Sequence, residues 1–336
     1  MADTVRLTLA EGRALAVRAL EANGCDADNA AAIADNMIRA EADICASHGL
    51  FRLPWHVQTL KVGKANGKAK PRVEKLAPAV LRVHGDRGFA PLGQKVGLPV
   101  LAAAARENGI AAMGHVDMYH VAALWPETET LAMEGLVAIA CTPSFPYVAP
   151  SGASKALYGT NPIAFAWPRP DSLPLVFDQA SAAMARGEIM IAAREGHSVP
   201  EGVGIDRNGR PTTDPNAILD DGAQLAFGGH KGASLALMVE LLAGPLIGDL
   251  LSFEAEEDDA GAKAAPHGGE LIIAMDPKRF GDPEGALKHG EKLFAAITAM
   301  EGARLPSARR YANRQKTRDG FTIPKSLHDS ILATLT

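Results

Sequence analysis

The chain has too few cysteines and too little positive charge for several classes of protein. Its 336 residues include three cysteines, Cys25, Cys45 and Cys141, which form neither a C-x-x-C pair nor an even-numbered disulfide framework. The 34 Lys and Arg against 39 Asp and Glu leave a net charge of −5. Nucleic-acid and anionic-membrane binders need an excess of Lys and Arg to neutralise phosphates. We therefore expect a protein of a reducing compartment, the cytoplasm, with no nucleic-acid or membrane partner.

Long apolar runs and the common nucleotide-binding motifs are also missing. The most apolar stretch, residues 233–251, contains Glu240 and Asp249, which predicts a buried helix and its turn. The first residues lack the apolar region of a signal peptide. No G-x-G-x-x-G follows a predicted strand and no G-x-x-x-x-G-K-[ST] occurs, so the standard Rossmann and P-loop sites have no support.

Helical and strand patterns are mixed along the chain, which predicts an α/β or α+β protein of two or three domains. Thr8 with Glu11 has the form of a capping box, and Asp26 or Asp28 would cap a second helix. Further helices are predicted near residues 92–108, 127–134, 233–251 and 286–300. Strands are predicted at 80–83, 110–113, 136–141, 163–167, 175–177 and 271–275. We expect an acidic loop over residues 254–259 and a basic, irregular tail after residue 300.

Three side chains suited to catalysis or substrate binding occur close together in the segment Ser47-His48-Gly49-Leu50-Phe51-Arg52. A His with a near-neutral pKa can donate a proton, and a neighbouring hydroxyl can orient it. A planar guanidinium such as that of Arg52 suits bidentate binding of a carboxylate. A capped helix end with a surface His and Arg would give the same pattern.

A second cluster, His115-Val116-Asp117-Met118-Tyr119-His120, follows a predicted strand. With His48 it could form a metal site and so a metal-dependent hydrolase, although its order matches no known zinc spacing.

Three further segments are typical of ligand contacts, although each also has a plain structural explanation. Gly228-Gly229-His230-Lys231-Gly232 precedes an apolar helix, and free backbone N–H groups there would suit a phosphate. Short polar segments lie next to predicted apolar strands at residues 159–162 and 178–188. The basic tail, residues 304–318, is either a solvated surface or a site for the extra phosphate of NADPH.

Taken in order, these segments resemble the type 2 malate/L-lactate dehydrogenase-like oxidoreductase family, over about residues 8–325. The matching motifs are Ser47-His48-Gly49 with Arg52, residues 119–126, Gly159–Ala166, Asp178-Gln179-Ala180, Ala185–Ile189, Gly229–Gly232 and Leu305–Arg310. Hydroxy-acid dehydrogenases of the family usually carry Asn-Ser-x-His-Phe-Gly where this chain has His120–Trp125. That difference indicates its imine reductases, which act on Δ1-pyrroline-2-carboxylate and Δ1-piperideine-2-carboxylate. Val121, Glu188 and Ala233 depart from the usual family residues.

The resemblance implies a role for each matching position. His48 would donate the proton, oriented by Ser47 and Glu188, and the substrate would be held by Arg52, Thr160, Arg186 and Gly187. Cofactor contacts would come from His120, Val121, Ala122, Ala123, Leu124, Asp178, Gln179, Ala180, Gly229, His230, Leu305, Pro306, Ser307, Ala308, Arg309, Arg310 and Tyr311.

The resemblance also implies a non-Rossmann fold and a homodimer. A mixed-sheet NADP-binding domain, residues 119–284, would be inserted into a helical region formed by residues 1–118 and 285–336. The reaction would be reduction of the cyclic imine to L-proline or L-pipecolate with NADPH, or with NADH as the alternative. A 2-hydroxy-acid dehydrogenase on the same fold is the main competing interpretation; the metal-dependent hydrolase and a catalytically inactive relative come after it.

Overall fold

The computed structural model describes residues 3–335. Its strands are β1 (Thr4–Leu7), β2 (Arg72–Ala77), β3 (Val80–Phe89), β4 (Ile110–Tyr119), β5 (Val137–Cys141), β6 (Ile163–Trp167), β7 (Leu175–Gln179), β8 (Gly204–Ile205), β9 (Pro211–Thr212), β10 (Ala223–Gln224), β11 (His267–Met275) and β12 (Phe321–Pro324). The helices are α1 (Leu9–Ala22), α2 (Ala27–Ala42), α3 (Leu53–Lys61), α4 (Ala90–Asn108), α5 (Trp125–Met133), α6 (Arg186–Glu195), α7 (Pro215–Asp220), α8 (His230–Ala243), α9 (Ser252–Asp259), α10 (Ala286–Thr298), α11 (Ala308–Lys316) and α12 (Lys325–Leu332).

A seven-stranded mixed sheet forms the centre of the molecule, in the order β2-β3-β4-β11-β5-β6-β7. Strands β3 and β4 are parallel and are connected through α4, whereas the other neighbours are antiparallel. The central strand β11 lies between β4 and β5, and most of its residues are buried, as expected for a strand paired on both edges. The expectation of a mixed α/β fold is confirmed.

The helices α1, α2 and α3 pack on the small sheet formed by the two ends of the chain. Strand β1 pairs antiparallel with β12, with Leu7 opposite Phe321. Their shared core contains Leu20, Ile33 and Leu53, each almost completely buried. The expected boundary at residues 118–119 falls inside β4, and β4 pairs with β11, so one sheet joins the two expected domains. The division into two domains stays a prediction.

Two segments expected to be irregular are helical. Residues 254–259 belong to α9, and the carboxylate of Glu254 accepts a hydrogen bond from the Leu251 N–H at the start of that helix. The basic tail contains α11, followed by β12 and α12. Helix α11 carries few apolar residues and is held by its polar side chains, so hydrophobic periodicity does not reveal it. Within residues 3–335 no helix is long and apolar enough to span a membrane.

Helix α1 begins at the predicted capping box. The Thr8 hydroxyl accepts from the Glu11 N–H at 3.1 Å, and the Glu11 carboxylate accepts from the Thr8 N–H at 2.8 Å. Asp26, rather than Asp28, caps α2 by accepting from the Asn29 N–H. Helix α2 leads to the segment that contains Ser47 and His48.

We predict that Thr8→Ala lowers the free energy of unfolding by about 1 kcal/mol, because the Glu11 N–H loses its acceptor and the bond from the Thr8 hydroxyl to the Glu11 carboxylate is lost. Urea unfolding monitored by circular dichroism measures this change. Thr4→Ala, at an exposed position of β1, is the matched control and should change stability by less than about 0.5 kcal/mol. Equal effects of the two substitutions would contradict the role of the capping box.

Candidate active site

A cleft of about 1070 Å³ lies at the carboxyl ends of β4, β5 and β7. These three strands run in the same direction, because each is separated from the next by one antiparallel strand. Polar residues that follow strands therefore meet at one edge of the sheet. The predicted residues in the cleft wall are Ser47, His48, Arg52, His120, Val121, Ala122, Leu124, Thr160, Asp178, Gln179, Ala180, Arg186, Gly187 and Glu188.

His48 ends a 3-10 helical turn, Ala46–His48, that follows α2. Its Nδ1 lies 3.1 Å from the Ser47 hydroxyl and 3.6 Å from the Cys45 thiol. Burial lowers the pKa of His48 to about 3, and the nearby Arg52, His120 and Arg310 act in the same direction. In the free protein the imidazole is therefore neutral at neutral pH. An anion bound beside Arg52 would offset that positive field and favour a proton on His48.

Arg52 ends the next 3-10 turn, Leu50–Arg52, and lines the same cleft. Its Nε donates to the Ser47 carbonyl at 2.6 Å, which fixes the guanidinium relative to His48. The aromatic rings of Phe51 and Trp55 lie 5.7 and 5.3 Å from the guanidinium carbon. The terminal nitrogens form no hydrogen bond with residues 3–335, so they can bind a carboxylate.

The start of α6 forms the part of the cleft wall next to Ser47. Gly187 lies so close to Ser47 that an added Cβ would be 3.3 Å from the Ser47 Cβ. The guanidinium of Arg186 stacks on Tyr147 at 3.7 Å from the ring centroid. Glu188 lies in the first turn of α6 and forms no hydrogen bond with Ser47 or His48 among the described contacts. Ser47 alone makes the expected contact with His48; the role of Glu188 stays a prediction.

Thr160 is held in a turn with a buried support. Its N–H donates to the Ser144 hydroxyl at 3.0 Å. Next to it, Asn161 Nδ2 and the Gly159 N–H both donate to Glu240 of α8, at 2.7 and 3.1 Å. Four hydrogen-bond donors converge on this carboxylate, so the turn has a fixed position relative to α8.

The expected cofactor residues of the tail pack beside the cleft. Tyr311 donates to the Pro174 carbonyl at 2.7 Å, and the Ser307 hydroxyl accepts from the Val176 N–H at 3.3 Å. The guanidinium of Arg310 lies 3.7 Å from Asp178 and stacks on Trp125 at 4.1 Å from the ring centroid. Leu305, Pro306, Ala308 and Arg309 belong to the same segment, outside the cleft wall.

The remaining expected cofactor residues lie apart from the cleft wall. Ala123 is buried in the core, whereas Gly229 and His230 are exposed at the start of α8. A Cβ added at Gly228 or Gly229 would meet no atom within 4 Å, so the backbone of this turn is open to a ligand. Sequence reasoning missed Cys45, Ser144 and Tyr147, all in the cleft wall. Ser144 and Tyr147 follow β5, and that position after a buried strand was the signal for them.

The metal site considered from the sequence is not assembled. Asp117 contacts His267 and the Arg87 N–H, and His115 is completely buried. In the part of the chain that the structure describes, His48, His115 and Asp117 join no group of three or more metal-capable side chains. His120 instead lies beside Glu127 and Glu270, which are not among the residues considered for that site.

An ionic network fixes the cleft wall from behind. Arg314 of α11 binds both oxygens of Asp43, at 2.5 and 2.9 Å, and also Glu129 of α5 at 2.9 Å. The side chain of Asp43 is fully buried, and burial raises its pKa despite the arginines. Arg39 of α2 binds Glu129 at 2.8 Å. The network joins the end of α2, which leads to His48, to α5 and α11.

Comparisons with known proteins agree with this architecture. The family model described as malate/L-lactate dehydrogenase matches residues 7–332. The chain is 50% identical over 334 residues to a Δ1-pyrroline-2-carboxylate/Δ1-piperideine-2-carboxylate reductase of Pseudomonas aeruginosa, covering 98% of this chain and 99% of that protein. It is also 50% identical over 334 residues to Δ1-pyrroline-2-carboxylate reductase 1 of Burkholderia ambifaria, covering 98% of each.

Solved structures show the same fold. The Δ1-piperideine-2-carboxylate reductase of Pseudomonas syringae pv. tomato superposes with a TM-score of 0.94 at 38% identity, over 98% of this chain and 100% of that one. The sulfolactate dehydrogenase of Methanocaldococcus jannaschii superposes with a TM-score of 0.89 at 29% identity, over 98% and 96% of the two chains.

We predict that Arg314→Gln lowers the free energy of unfolding by about 3–5 kcal/mol, because Asp43 stays buried without its bidentate partner. Arg318→Gln, at an exposed position two residues beyond α11, is the control and should change stability by less than about 0.5 kcal/mol. Urea unfolding of both variants checks the difference. A loss below about 1 kcal/mol in Arg314→Gln would show that the network is not a stability determinant.

Proposed function

The chain belongs to the malate/L-lactate dehydrogenase family of oxidoreductases, and we propose that it reduces Δ1-pyrroline-2-carboxylate, Δ1-piperideine-2-carboxylate or both, to L-proline or L-pipecolate. As a member of that family it uses a nicotinamide cofactor. The observation that carries the proposal is the placement of His48 and Arg52 in consecutive turns, both facing one cleft. A proton donor and a carboxylate-binding cation at that spacing suit a small cyclic imino acid.

The residues of the cleft fit such a cofactor. The cleft volume of about 1070 Å³ slightly exceeds the usual range for small-molecule sites, roughly 300–1000 Å³, which leaves room for a dinucleotide beside a small acid. The Gly228–Gly229 turn leaves backbone open at a helix start, where a phosphate binds well. The residues proposed to hold the cofactor are His120–Leu124, Asp178–Ala180, Gly229, His230 and Leu305–Tyr311.

In the proposed mechanism Arg52 binds the substrate carboxylate, supported by Thr160 and by Arg186 at the start of α6. The bound nicotinamide would supply a hydride to C2 of the C=N bond. His48 holds the proton for the ring nitrogen, so that one hydride and one proton convert the imine to the secondary amine. Burial is the main cause of the lowered pKa of His48, and the field of Arg52 adds to it, so a carboxylate that neutralises Arg52 would remove that second contribution and make His48 a better proton carrier. Substrate binding and proton loading are thereby coupled.

We propose NADPH as the preferred cofactor. Arg310 and Arg314 of the basic tail are engaged with Asp43, whereas Arg304 and Arg309 are exposed. An exposed guanidinium in this segment suits the additional phosphate of NADPH.

We also propose a homodimer in the cytoplasm. Leu237 and Leu241 form an exposed apolar face of α8, at 44% and 52% exposure, which suits a subunit interface. Cys25, Cys45 and Cys141 are unpaired, which suits a reducing compartment.

The test of the function is cofactor oxidation with four substrates, Δ1-pyrroline-2-carboxylate, Δ1-piperideine-2-carboxylate, pyruvate and oxaloacetate, each with NADPH and with NADH. We expect at least one imine to be reduced with a kcat/KM about a hundredfold above either keto acid, because a ring nitrogen protonated by the proposed donor, His48, would make C2 of the imine the better hydride acceptor. The product should be the L-amino acid on chiral chromatography. A preference for a keto acid would assign a hydroxy-acid dehydrogenase instead, a reaction that the similarity to the sulfolactate dehydrogenase keeps open.

Substitutions separate proton transfer from substrate binding. We predict that His48→Asn lowers kcat by about 10²- to 10⁴-fold while the dissociation constant of NADPH changes less than about twofold. Arg52→Lys should mainly raise the imine KM, because a bidentate contact becomes a single one. His197→Asn and Arg318→Lys, both at exposed positions, are the matched controls. Normal turnover of His48→Asn, or an unchanged KM of Arg52→Lys, would refute the assigned role.

A further inference from the structure

A group of polar side chains is buried directly behind the cleft. It comprises Gln94 of α4, His115 of β4, His120 after β4, Glu127 of α5 and Glu270 of β11. His115 and Glu270 have 0% exposure and Glu127 has 1%. Buried ionisable groups are costly unless they are paired, and such groups beside a ligand cleft point to a functional role.

The contacts within this group are incomplete. Gln94 Nε2 donates to Glu270 Oε2 at 2.9 Å, and His115 Nδ1 lies 3.8 Å from the same oxygen. His120 Nε2 lies 4.0 Å from Glu270 Oε1, and neither atom has a hydrogen-bond partner among the described residues. Both carboxyl oxygens of Glu127 are also buried without a partner. One water molecule or a small rotation of the ring would join His120 to Glu270.

The two carboxyl groups differ in charge. Burial, together with the nearby Glu270, raises the pKa of Glu127 well above its ordinary value, which favours the protonated form of Glu127. Burial would also raise the pKa of Glu270, but the neighbouring His115 and His120 hold it below its ordinary value. Glu270 is therefore the anion of the group, and burial keeps the His120 ring neutral by lowering its pKa.

We propose that Glu270 is a positioning residue, which holds the His120 ring with its proton on Nε2 so that Nδ1 presents a lone pair to a hydrogen-bond donor of the bound nicotinamide cofactor. A neutral imidazole has one donor and one acceptor nitrogen, and the partner of one decides the role of the other. His120 lines the cleft while its Nε2 is buried towards Glu270, which leaves Nδ1 as the nitrogen for the cleft. The inference rests on the proposed use of His120 as a cofactor contact.

The matched pair Glu270→Gln and Glu127→Gln tests this inference. Glu270→Gln replaces the anion by an amide that can donate to Nε2, and so shifts the His120 proton to Nδ1 and removes the acceptor in the cleft. We expect NADPH to bind about tenfold more weakly, or worse, because a buried donor of the cofactor then lacks a partner. Glu127→Gln replaces a neutral acid by a neutral amide, and NADPH binding should change less than about twofold. Fluorescence titration without any imine measures both constants, so the result is independent of the proposed substrate.

Two further measurements separate the inference from a merely structural role and from a metal site. Nitrogen NMR of the wild-type protein should show a non-protonated Nδ1 in His120. The signal is assigned by its absence in His120→Gln, and a protonated Nδ1 would overturn the proposal even if Glu270→Gln fails to fold.

Side-chain atoms of His120, Glu127 and Glu270 lie within 4.8 Å of one another. An ion bound there would make both glutamine variants equally harmful and appear at one equivalent in elemental analysis of the purified protein, and either result would also overturn it.

Discussion

The ion pairs around Asp43 are the constraint on which the cleft depends. A buried carboxylate carries a desolvation cost of several kcal/mol, which is offset only when its partners have good geometry. Arg314 meets that condition with bonds to both oxygens of Asp43, and it also reaches Glu129. Because α2 ends one residue before Asp43, the same contact that holds α11 also fixes the start of the turn that carries His48. The tail, the first helices and the sheet thus share one anchor.

The order of strands supplies the second constraint. With β11 between β4 and β5 and β6 between β5 and β7, the strands β4, β5 and β7 end at the same edge. His120, Ser144 and Asp178 therefore reach one cleft although they lie far apart in the chain. The central strand also brings Glu270 behind His120, so the wall that faces the ligand is backed by a charged group. Substrate-side and cofactor-side residues are held by the same sheet edge.

Electrostatics gives the cleft its character. Arg52 and Arg186 line the cleft beside a neutral His48, together with the acidic residues Asp178 and Glu188, so the positive charge near His48 comes from arginines and not from an imidazolium. The two arginines attract a small carboxylate, and His48 stays neutral until that carboxylate is bound. The Cys45 thiol beside His48 is kept protonated, since burial raises its pKa to about 11. Ser47 and Cys45 therefore act on His48 as neutral hydrogen-bonding groups.

Helices and strands could be predicted from the sequence where the residues that stabilise them are close together in the chain. The capping box of Thr8 and Glu11 and the strand Ile163–Trp167 occur where the residue pattern predicts them. The helix α11 was missed because its stability comes from arginines that bind Asp43 and Glu129, more than 180 residues away, and not from an apolar face. The helix α9 was missed because its acidic residues are typical of a loop, while its N-terminal bond from Leu251 to Glu254 has no apolar signature.

The sequence by itself determined the residue types of the site and, through the ordered motifs, the family and its oxidoreductase chemistry. Ser47, His48, Arg52, Thr160 and Asp178 were all selected without coordinates, and all line the cleft. Only the tertiary structure decided which ionisable groups in and behind the cleft are charged. The charge of His48, the partners of Arg310 and the ionisation of the carboxyl groups behind His120 depend on contacts between segments up to 267 residues apart. Burial and long-range fields set those properties, and neither can be read from neighbours in the chain.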